Sequence, residues 1–177
     1  PRTSLATLVG AIPGALPPVI GWSAATGRIS LPALVLFGIS FFWQMPHFLA
    51  IAWLFRDDYA NAGIPLLPVL EPDGRRTGQQ ALIYTAALWP VSLLPAVVGL
   101  AGIPYALVAT VLGLLIVWLA LRFARDRSMP NARALFLFSI TYLPVLLAAL
   151  VADRLWICRP RVARRWRLPT SPRSTPA

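Results

Sequence analysis

Residues 31–55, LPALVLFGISFFWQMPHFLAIAWLF, decide the fold of this chain. The stretch has no charged side chain and exceeds the roughly 20 apolar residues that a helix needs to cross a bilayer. Its centre nevertheless carries Gln44 and His47, and polar groups at membrane depth are costly unless they face a bundle interior or a cavity. The stretch therefore predicts a transmembrane helix that lines a site. For either polar residue alone, a hydrogen bond between neighbouring helices is the alternative.

The composition as a whole is that of a membrane protein. The chain is 58% hydrophobic and 12% charged, with a mean hydropathy of +0.69. Its formal net charge of +10 does not indicate a nucleic-acid partner, because the arginines fall in the gaps between apolar runs. The single cysteine, Cys158, excludes an internal disulfide framework and a cysteine metal cluster.

Five apolar runs are candidates for membrane spans. They cover residues 4–26, 31–55, 81–101, 105–121 and 134–152. No strand-like alternation competes with them, so the sequence predicts an all-α, polytopic transmembrane helix bundle of about five spans. The first run is uncharged but is interrupted by Pro13, Gly14, Pro17, Pro18 and Gly21.

The arginines orient this bundle. Up to residue 152, eight of them fall on one side of the alternating spans, against Arg28 alone on the other; the eight are Arg2, Arg56, Arg75, Arg76, Arg122, Arg125, Arg127 and Arg133. The seven arginines of residues 153–177 would fall on the side of Arg28, and the count leaves them out because we expect that stretch to be a disordered tail. The positive-inside rule then predicts a multi-pass protein of the cell (inner or plasma) membrane, with the loop after residue 55 in the cytoplasm.

The two ends of the chain differ from its body. Residues 153–177 are rich in Arg and Pro, and we expect them to form a disordered tail behind a transmembrane domain of residues 1–152. The chain starts at Pro1 without a methionine, so we expect it to be the C-terminal part of a longer membrane protein.

Asp57 and Asp58 follow the second run as adjacent carboxylates. If that helix continues through Asp58, it places Trp43, His47 and Asp58 on one stripe. The two carboxylates would then oppose the helix macrodipole and repel each other, and a hard divalent cation would cancel both penalties. Mg²⁺ characteristically uses one or two carboxylates together with substrate phosphate oxygens. A solvated surface pair is the alternative.

The long loop of residues 56–80 mixes acidic residues and arginines, which suits a metal ion and a phosphate. Its inner part, residues 64–69, is apolar and is expected to lie over a cavity mouth as a lid. The loop is longer than a usual connection between helices, which favours a function.

Five segments carry a resemblance to a known family. They are Arg2-Thr3, residues 10–27 (GAIPGALPPVIGWSAATG), 42–53 (FWQMPHFLAIAW), 56–69 (RDDYANAGIPLLPV) and 77–84 (TGQQALIY). Together they resemble the heme-directed branch of the UbiA superfamily of intramembrane prenyltransferases, over about residues 1–152.

The resemblance implies a nine-helix bundle, of which this chain would supply the last five helices, around a cavity open to the cytoplasm. It implies transfer of a farnesyl group from farnesyl diphosphate to a vinyl group of heme b, with Mg²⁺ on the diphosphate. The product, heme O, would feed heme A synthesis, so heme A synthase or a terminal oxidase assembly is an implied partner. The family's first acidic motif is absent here, so the chain alone lacks half of the implied metal site.

The resemblance also assigns site residues. Asp57 and Asp58 would be catalytic and would hold the metal through the diphosphate. The residues implied in substrate binding are Trp43, Gln44 and His47 beside the acceptor, with Tyr59 and the four arginines Arg2, Arg56, Arg75 and Arg76 as further contacts. Two departures concern the acidic and Arg-Thr motifs: Asn61 and Ala62 replace a D-x-x-x-D spacing, and Ala6 stands where the family usually has Asn.

Two alternative functions stay open at this point. One is a prenyltransferase of the same superfamily that acts on an aromatic quinone precursor instead of heme. The other belongs to a different class, a transporter or membrane scaffold subunit whose helices are broken by Pro90, Pro95 and Pro144 to hold an ion or solute.

Overall fold

In a computed structural model of the chain, residues 5–165 are described, with side chains described for residues 10–156. This part of the chain contains helices and no strands. The helices are α1 (Leu5–Gly14), α2 (Pro17–Thr26), α3 (Leu31–Leu54), α4 (Arg56–Asn61), α5 (Leu67–Leu70), α6 (Arg75–Val97), α7 (Ile103–Arg125) and α8 (Met129–Arg165).

Four helices are long and apolar enough to cross a membrane: α3, α6, α7 and the Met129–Trp156 part of α8. They pack in a bundle in which α6 contacts α3 and α7, and α8 contacts α3 and α7. The predicted all-α, polytopic bundle is confirmed.

The first predicted span is not one helix. It is divided into α1 and α2, of ten residues each, by Ala15 and Leu16. Pro17 and Pro18 occupy the first turn of α2, where a missing N–H costs nothing, but their rings cannot continue a helix that arrives from α1. Ten helical residues span about 15 Å, half of the hydrocarbon core, so neither helix could cross it alone. Both pack against α3.

Small residues let α6 and α7 approach closely. A Cβ at Gly113 of α7 would overlap the indole of Trp89 on α6, and one at Gly78 would lie 2.9 Å from the Cα of Ala124. Close backbone approach at small residues is a common way for helices to associate inside a membrane.

Three polar side chains in the interior of the bundle are linked between helices. The Tyr105 hydroxyl donates to the Ser92 carbonyl at 2.8 Å, and the Ser92 and Tyr142 hydroxyls are 2.8 Å apart. Near the end of the bundle, the Gly102 N–H donates to the buried carboxylate of Asp153, which joins α8 to the start of α7.

The predicted boundary after residue 152 falls inside α8, which runs from Met129 to Arg165. Residues 166–177 lie outside the described part, and the division into a domain and a tail stays a prediction.

The alternating helices bring one group of connections to the same end. The ends of α3 and α7 and the starts of α6 and α8 lie there, and the Trp53 indole of α3 donates to the Arg127 carbonyl at 3.0 Å. We call this the arginine-rich end. Its described arginines are Arg56, Arg75, Arg76, Arg122, Arg125, Arg127 and Arg133.

Candidate functional site

A polar and aromatic cluster joins the middle of α3 to α8. The Trp43 indole N–H donates to the main-chain carbonyl of Ser139 at 2.7 Å, and Nδ1 of His47 lies 2.8 Å from Oγ of the same serine. Trp43 and His47 are one helical turn apart, so both face α8. We call Trp43, His47, Phe136 and Ser139 the His47 cluster.

The rings of the cluster hold the imidazole between them. Trp43 stacks on His47 with a centroid distance of 5.2 Å and an interplanar angle of 19°. Phe136 lies 5.1 Å from the imidazole at 33°. His47 is only half-buried, so a ligand could reach its free edge from outside the bundle.

Gln44 points to a different neighbour. Its side chain is 4% exposed, and its Nε2 donates to the main-chain carbonyl of Ala11 in α1. A Cβ at Gly14 would lie 2.5 Å from the Gln44 Oε1, so α1 packs directly over the amide. Gln44 therefore forms a hydrogen bond between two helices, which was the alternative to a role in the site. Its expected contact with an acceptor stays a prediction.

The helix that carries His47 ends before the acidic pair. Helix α3 stops at Leu54, Phe55 adopts φ −111° and ψ 24°, and α4 starts at Arg56. The continuous stripe expected from Trp43 to Asp58 is therefore not formed, because the axis is interrupted at Phe55.

The same break reverses the expected electrostatics of the carboxylates. Asp57 and Asp58 lie in the first turn of α4, where negative charge is favoured by the helix dipole instead of opposing it. Both are exposed, and Asp57 is 3.6 Å from Nε of Arg56. The helix dipole therefore gives no energetic reason for a cation to bind here. A metal ion is supported by the two adjacent carboxylates and by the resemblance to the prenyltransferase family.

The arginines of this end differ in how they are held. The guanidinium of Arg56 lies over the Trp53 ring at 4.6 Å, and Nε of Arg76 pairs with Glu71 at 3.2 Å. Arg75 has no ion-pair partner among the described side chains, and only its main-chain N–H bonds to Asp73. Arg2 lies outside the described residues.

An apolar cavity of about 340 Å³ lies next to α4. It is lined by one face of α3, by Tyr59 of α4 and by the segment before and within α5; the residues are Gly10, Phe48, Leu49, Ile51, Ala52, Tyr59, Ile64, Leu66, Leu67 and Pro68. The segment of residues 64–69 therefore lines a cavity, and its role as a lid over the mouth stays a prediction. Tyr59 connects this apolar cavity to the helix that carries the two carboxylates.

No group of three or more His, Cys, Asp or Glu side chains that could hold a metal occurs in the described part of the chain. Two exposed carboxylates instead fit Mg²⁺ that is held largely by phosphate oxygens of a substrate and by water. The donors fit the ion chemically, as one side of a site that the substrate completes.

Three residues of the site were missed by the sequence analysis. Ser139 and Phe136 contact His47 from 92 and 89 positions further along the chain, and Trp53 joins Arg56 to the α7–α8 connection. The last apolar run carries three hydroxyls close together, at Ser139, Thr141 and Tyr142, and the sequence alone does not indicate which of them meets α3.

The fold and the site define a class: a polytopic α-helical membrane protein with charged connections and an apolar cavity at one end of its bundle. Comparison with known sequences makes this specific. The UbiA prenyltransferase family matches residues 1–153, and the chain belongs to this family.

Curated relatives carry the name protoheme IX farnesyltransferase. The protein of Koribacter versatilis is 49% identical over 157 residues, which cover 85% of this chain and 51% of the relative. The protein of Solibacter usitatus is 48% identical, with 86% of this chain and 52% of the relative covered. That of Opitutus terrae is 49% identical, with 85% of this chain and 52% of the relative covered. The chain thus spans about half the length of the curated relatives it matches. No solved structure matches it.

Proposed function

We propose that this chain is the part of an enzyme that transfers a farnesyl group from farnesyl diphosphate to a vinyl group of heme b, giving heme O. The observation that carries the proposal is that α4 brings charged and apolar surfaces together. Its Asp57 and Asp58 are exposed, and the next residue, Tyr59, lines the apolar cavity. A prenyl diphosphate has the same two parts, a charged head and an apolar chain. The names of the relatives support heme as the acceptor.

The donor would occupy the arginine-rich end. Its diphosphate would lie near Asp57 and Asp58, and its first isoprene units would enter the cavity beside Tyr59. Mg²⁺, when bound, would neutralise the diphosphate and promote its departure. Arg75 is proposed to bind phosphate oxygens, since its guanidinium, unlike those of Arg56 and Arg76, has no ion-pair partner in the described part of the chain. Arg2 and Arg56 are proposed as further contacts.

The chemistry would proceed by loss of diphosphate from the farnesyl group, leaving an allylic cation. The vinyl group of heme attacks this cation with its π electrons, which forms the new C–C bond and leaves a cation next to the porphyrin. Water adds there and loses a proton, giving the hydroxyethylfarnesyl substituent. The chain's own contribution would be orientation of both substrates and stabilisation of the developing charge.

The acceptor would lie against the His47 cluster. Flat aromatic surfaces and an imidazole suit a porphyrin, and His47 is half-buried rather than enclosed. Trp43 would contribute its ring to this surface, and Gln44 would act through the position of α1. This acceptor side and the donor end occur on consecutive helices, α3 and α4.

The positive-inside rule supports a cytoplasmic position for the arginine-rich end in the cell membrane. Heme O is a precursor of heme A, so heme A synthase or a terminal oxidase assembly is the proposed partner that receives the product.

The transporter alternative depended on helices broken by proline, and that support is lost. Helix α6 continues through Pro90 and Pro95, and α8 continues through Pro144. The discontinuity that the structure does show, between α1 and α2, lies at Pro17 and not at these three prolines.

The proposal is tested by a transfer assay in membranes, using the chain joined to its upstream half so that it reaches the length of its relatives. Heme b and a phenolic quinone precursor are supplied together with farnesyl diphosphate and Mg²⁺, and products are identified by mass. We expect heme O, and its loss in His47→Ala. A prenylated phenol without heme O would overturn the choice of acceptor, and no consumption of diphosphate by folded protein would overturn the reaction.

A further inference from the structure

Ser139 of α8 connects the two polar residues of α3 in the His47 cluster. It is 0% exposed, its carbonyl accepts from Trp43, and its hydroxyl oxygen lies 2.8 Å from Nδ1 of His47. Because both partners sit one turn apart on α3, the two bonds together limit the tilt and rotation of the imidazole.

A third hydrogen bond fixes the direction of the one between Ser139 and His47. Oγ of Ser139 is 2.6 Å from the main-chain carbonyl of Phe136, and a carbonyl oxygen can only accept. The single hydroxyl hydrogen of Ser139 is therefore used toward Phe136. Oγ must then accept from Nδ1 of His47, so the proton of the neutral imidazole lies on Nδ1 and the lone pair lies on Nε2.

We propose that Ser139 is a positioning residue that holds His47 as the Nδ1–H tautomer and leaves the Nε2 lone pair free for the acceptor substrate. Nε2 has no hydrogen bond to any side chain or main-chain group described in the structure. A histidine whose Nδ1–H is bonded to an oxygen is the usual form of a metal ligand, because that bond orients the ring and raises the basicity of Nε2.

This inference rests on the proposed function for the identity of the ligand, which is the iron of a metalloporphyrin. The Trp43 and Phe136 rings beside the imidazole would limit its rotation about the bond to such an iron. The tautomer itself follows from the two hydrogen bonds of the Ser139 hydroxyl, to Phe136 and to His47, alone.

The tautomer can be read directly, because the chain has one histidine. ¹⁵N-histidine labelling of the chain in detergent micelles reports only His47, and the nitrogen shifts distinguish Nδ1–H from Nε2–H. Ser139→Ala removes the acceptor, whereas Ser139→Thr keeps a hydroxyl. Thr141→Ala is the matched control, since it removes an exposed hydroxyl of the same helix that also bonds a carbonyl three residues back, Phe138, at 2.9 Å.

We expect Nδ1–H in the unmodified chain, in Ser139→Thr and in Thr141→Ala, and a shift toward Nε2–H in Ser139→Ala. Nε2–H in the unmodified chain would overturn the inference, as would an unchanged tautomer in folded Ser139→Ala. The spectrum of the unmodified chain alone determines the tautomer. The proposal can therefore be refuted even if a Ser139 variant does not fold.

Titration with ferric heme b separates this inference from the proposed function. We expect an imidazole-ligated absorption spectrum that is lost in His47→Ala, and about tenfold weaker binding in Ser139→Ala, as for other partners of metal-bound histidines. Equal heme affinity in Ser139→Ala would overturn the positioning role. A spectrum that does not depend on His47, with the Nδ1–H tautomer intact, would contradict heme as the ligand and leave the tautomer standing.

Discussion

The His47 cluster and the arginine-rich end differ in how firmly their side chains are held. In the cluster, Trp43 and His47 are each hydrogen-bonded to Ser139 and stacked on each other. At the arginine-rich end, Asp57 and Asp58 are exposed on a six-residue helix, and the one ion pair of Asp57 is long and open to solvent. One region is ordered before a substrate arrives, and the other presents charges to solvent.

The difference has a physical reason. Inside a membrane, unpaired polar groups are costly, and both His47 and Gln44 form a hydrogen bond to a neighbouring helix. At the water-facing end, solvent satisfies the carboxylates, and a metal–diphosphate substrate can replace that solvent. We therefore expect substitutions at the arginine-rich end to change activity with little effect on stability, and substitutions in the interior to change both.

The largest effect is expected for Asp58→Asn in the protein extended to the length of its relatives. Loss of a carboxylate that would hold Mg²⁺ on the diphosphate should lower the rate of prenyl transfer by about 100-fold or more, because the metal stabilises the charge of the departing diphosphate. Because Asp58 is exposed, its thermal unfolding should be unchanged. Both are measured on the same purified sample.

Asp73→Asn is the control for Asp58→Asn. It makes the same acid-to-amide change in the same loop, and an asparagine can still accept the hydrogen bond from the Arg75 N–H. Equal losses of activity in both variants would reduce Asp58 to a contributor of general negative charge, and full activity of Asp58→Asn would remove its metal role.

The next effect concerns stability of the interior. Gln44→Ala removes the buried bond to Ala11 and should lower the free energy of unfolding by about 1–3 kcal/mol. Gln79→Ala, at an exposed position of α6, should change it by less than about 0.5 kcal/mol. Unfolding in mixed micelles followed by circular dichroism measures both. Equal stabilities would show that the bond between α1 and α3 contributes nothing.

The smallest effects separate two neighbouring arginines. Arg75→Ala should raise the apparent KM for farnesyl diphosphate about tenfold, which corresponds to one charge-assisted hydrogen bond. Arg76→Ala should raise it less, because Glu71 already pairs with this guanidinium and limits its availability. Initial rates at varied diphosphate concentration measure both. A larger effect of Arg76→Ala would mean that the substrate displaces Glu71.

Much of the fold could be predicted because membrane helices follow from local hydropathy. The run of residues 31–55 became Leu31–Leu54, but α6 starts at Arg75, six residues before its predicted apolar run. Hydropathy identifies only apolar residues, so it does not detect the polar residues 75–80 that form the start of this helix. The break at Phe55 was missed as well, since neither proline nor glycine is present there to indicate it.

The site was only partly predictable, for a different reason. Trp43, His47 and the acidic pair were recognisable as polar groups beside or within an apolar run. Ser139 was not, because its role depends on which face of α8 meets α3, and that is decided by packing across 92 positions of sequence. The resemblance to a family identified the motifs, but not the hydrogen bonds that orient them.

The most direct test of this two-part site is to measure the binding of each substrate separately, with Mg²⁺ and with a chelator, on the extended protein. We predict that farnesyl diphosphate binds only with Mg²⁺ and is lost in Asp58→Asn. Ferric heme b should bind equally in both conditions and in that variant, and be lost in His47→Ala. Heme binding that needs Mg²⁺ or Asp58, or diphosphate binding that survives the chelator, would contradict the account.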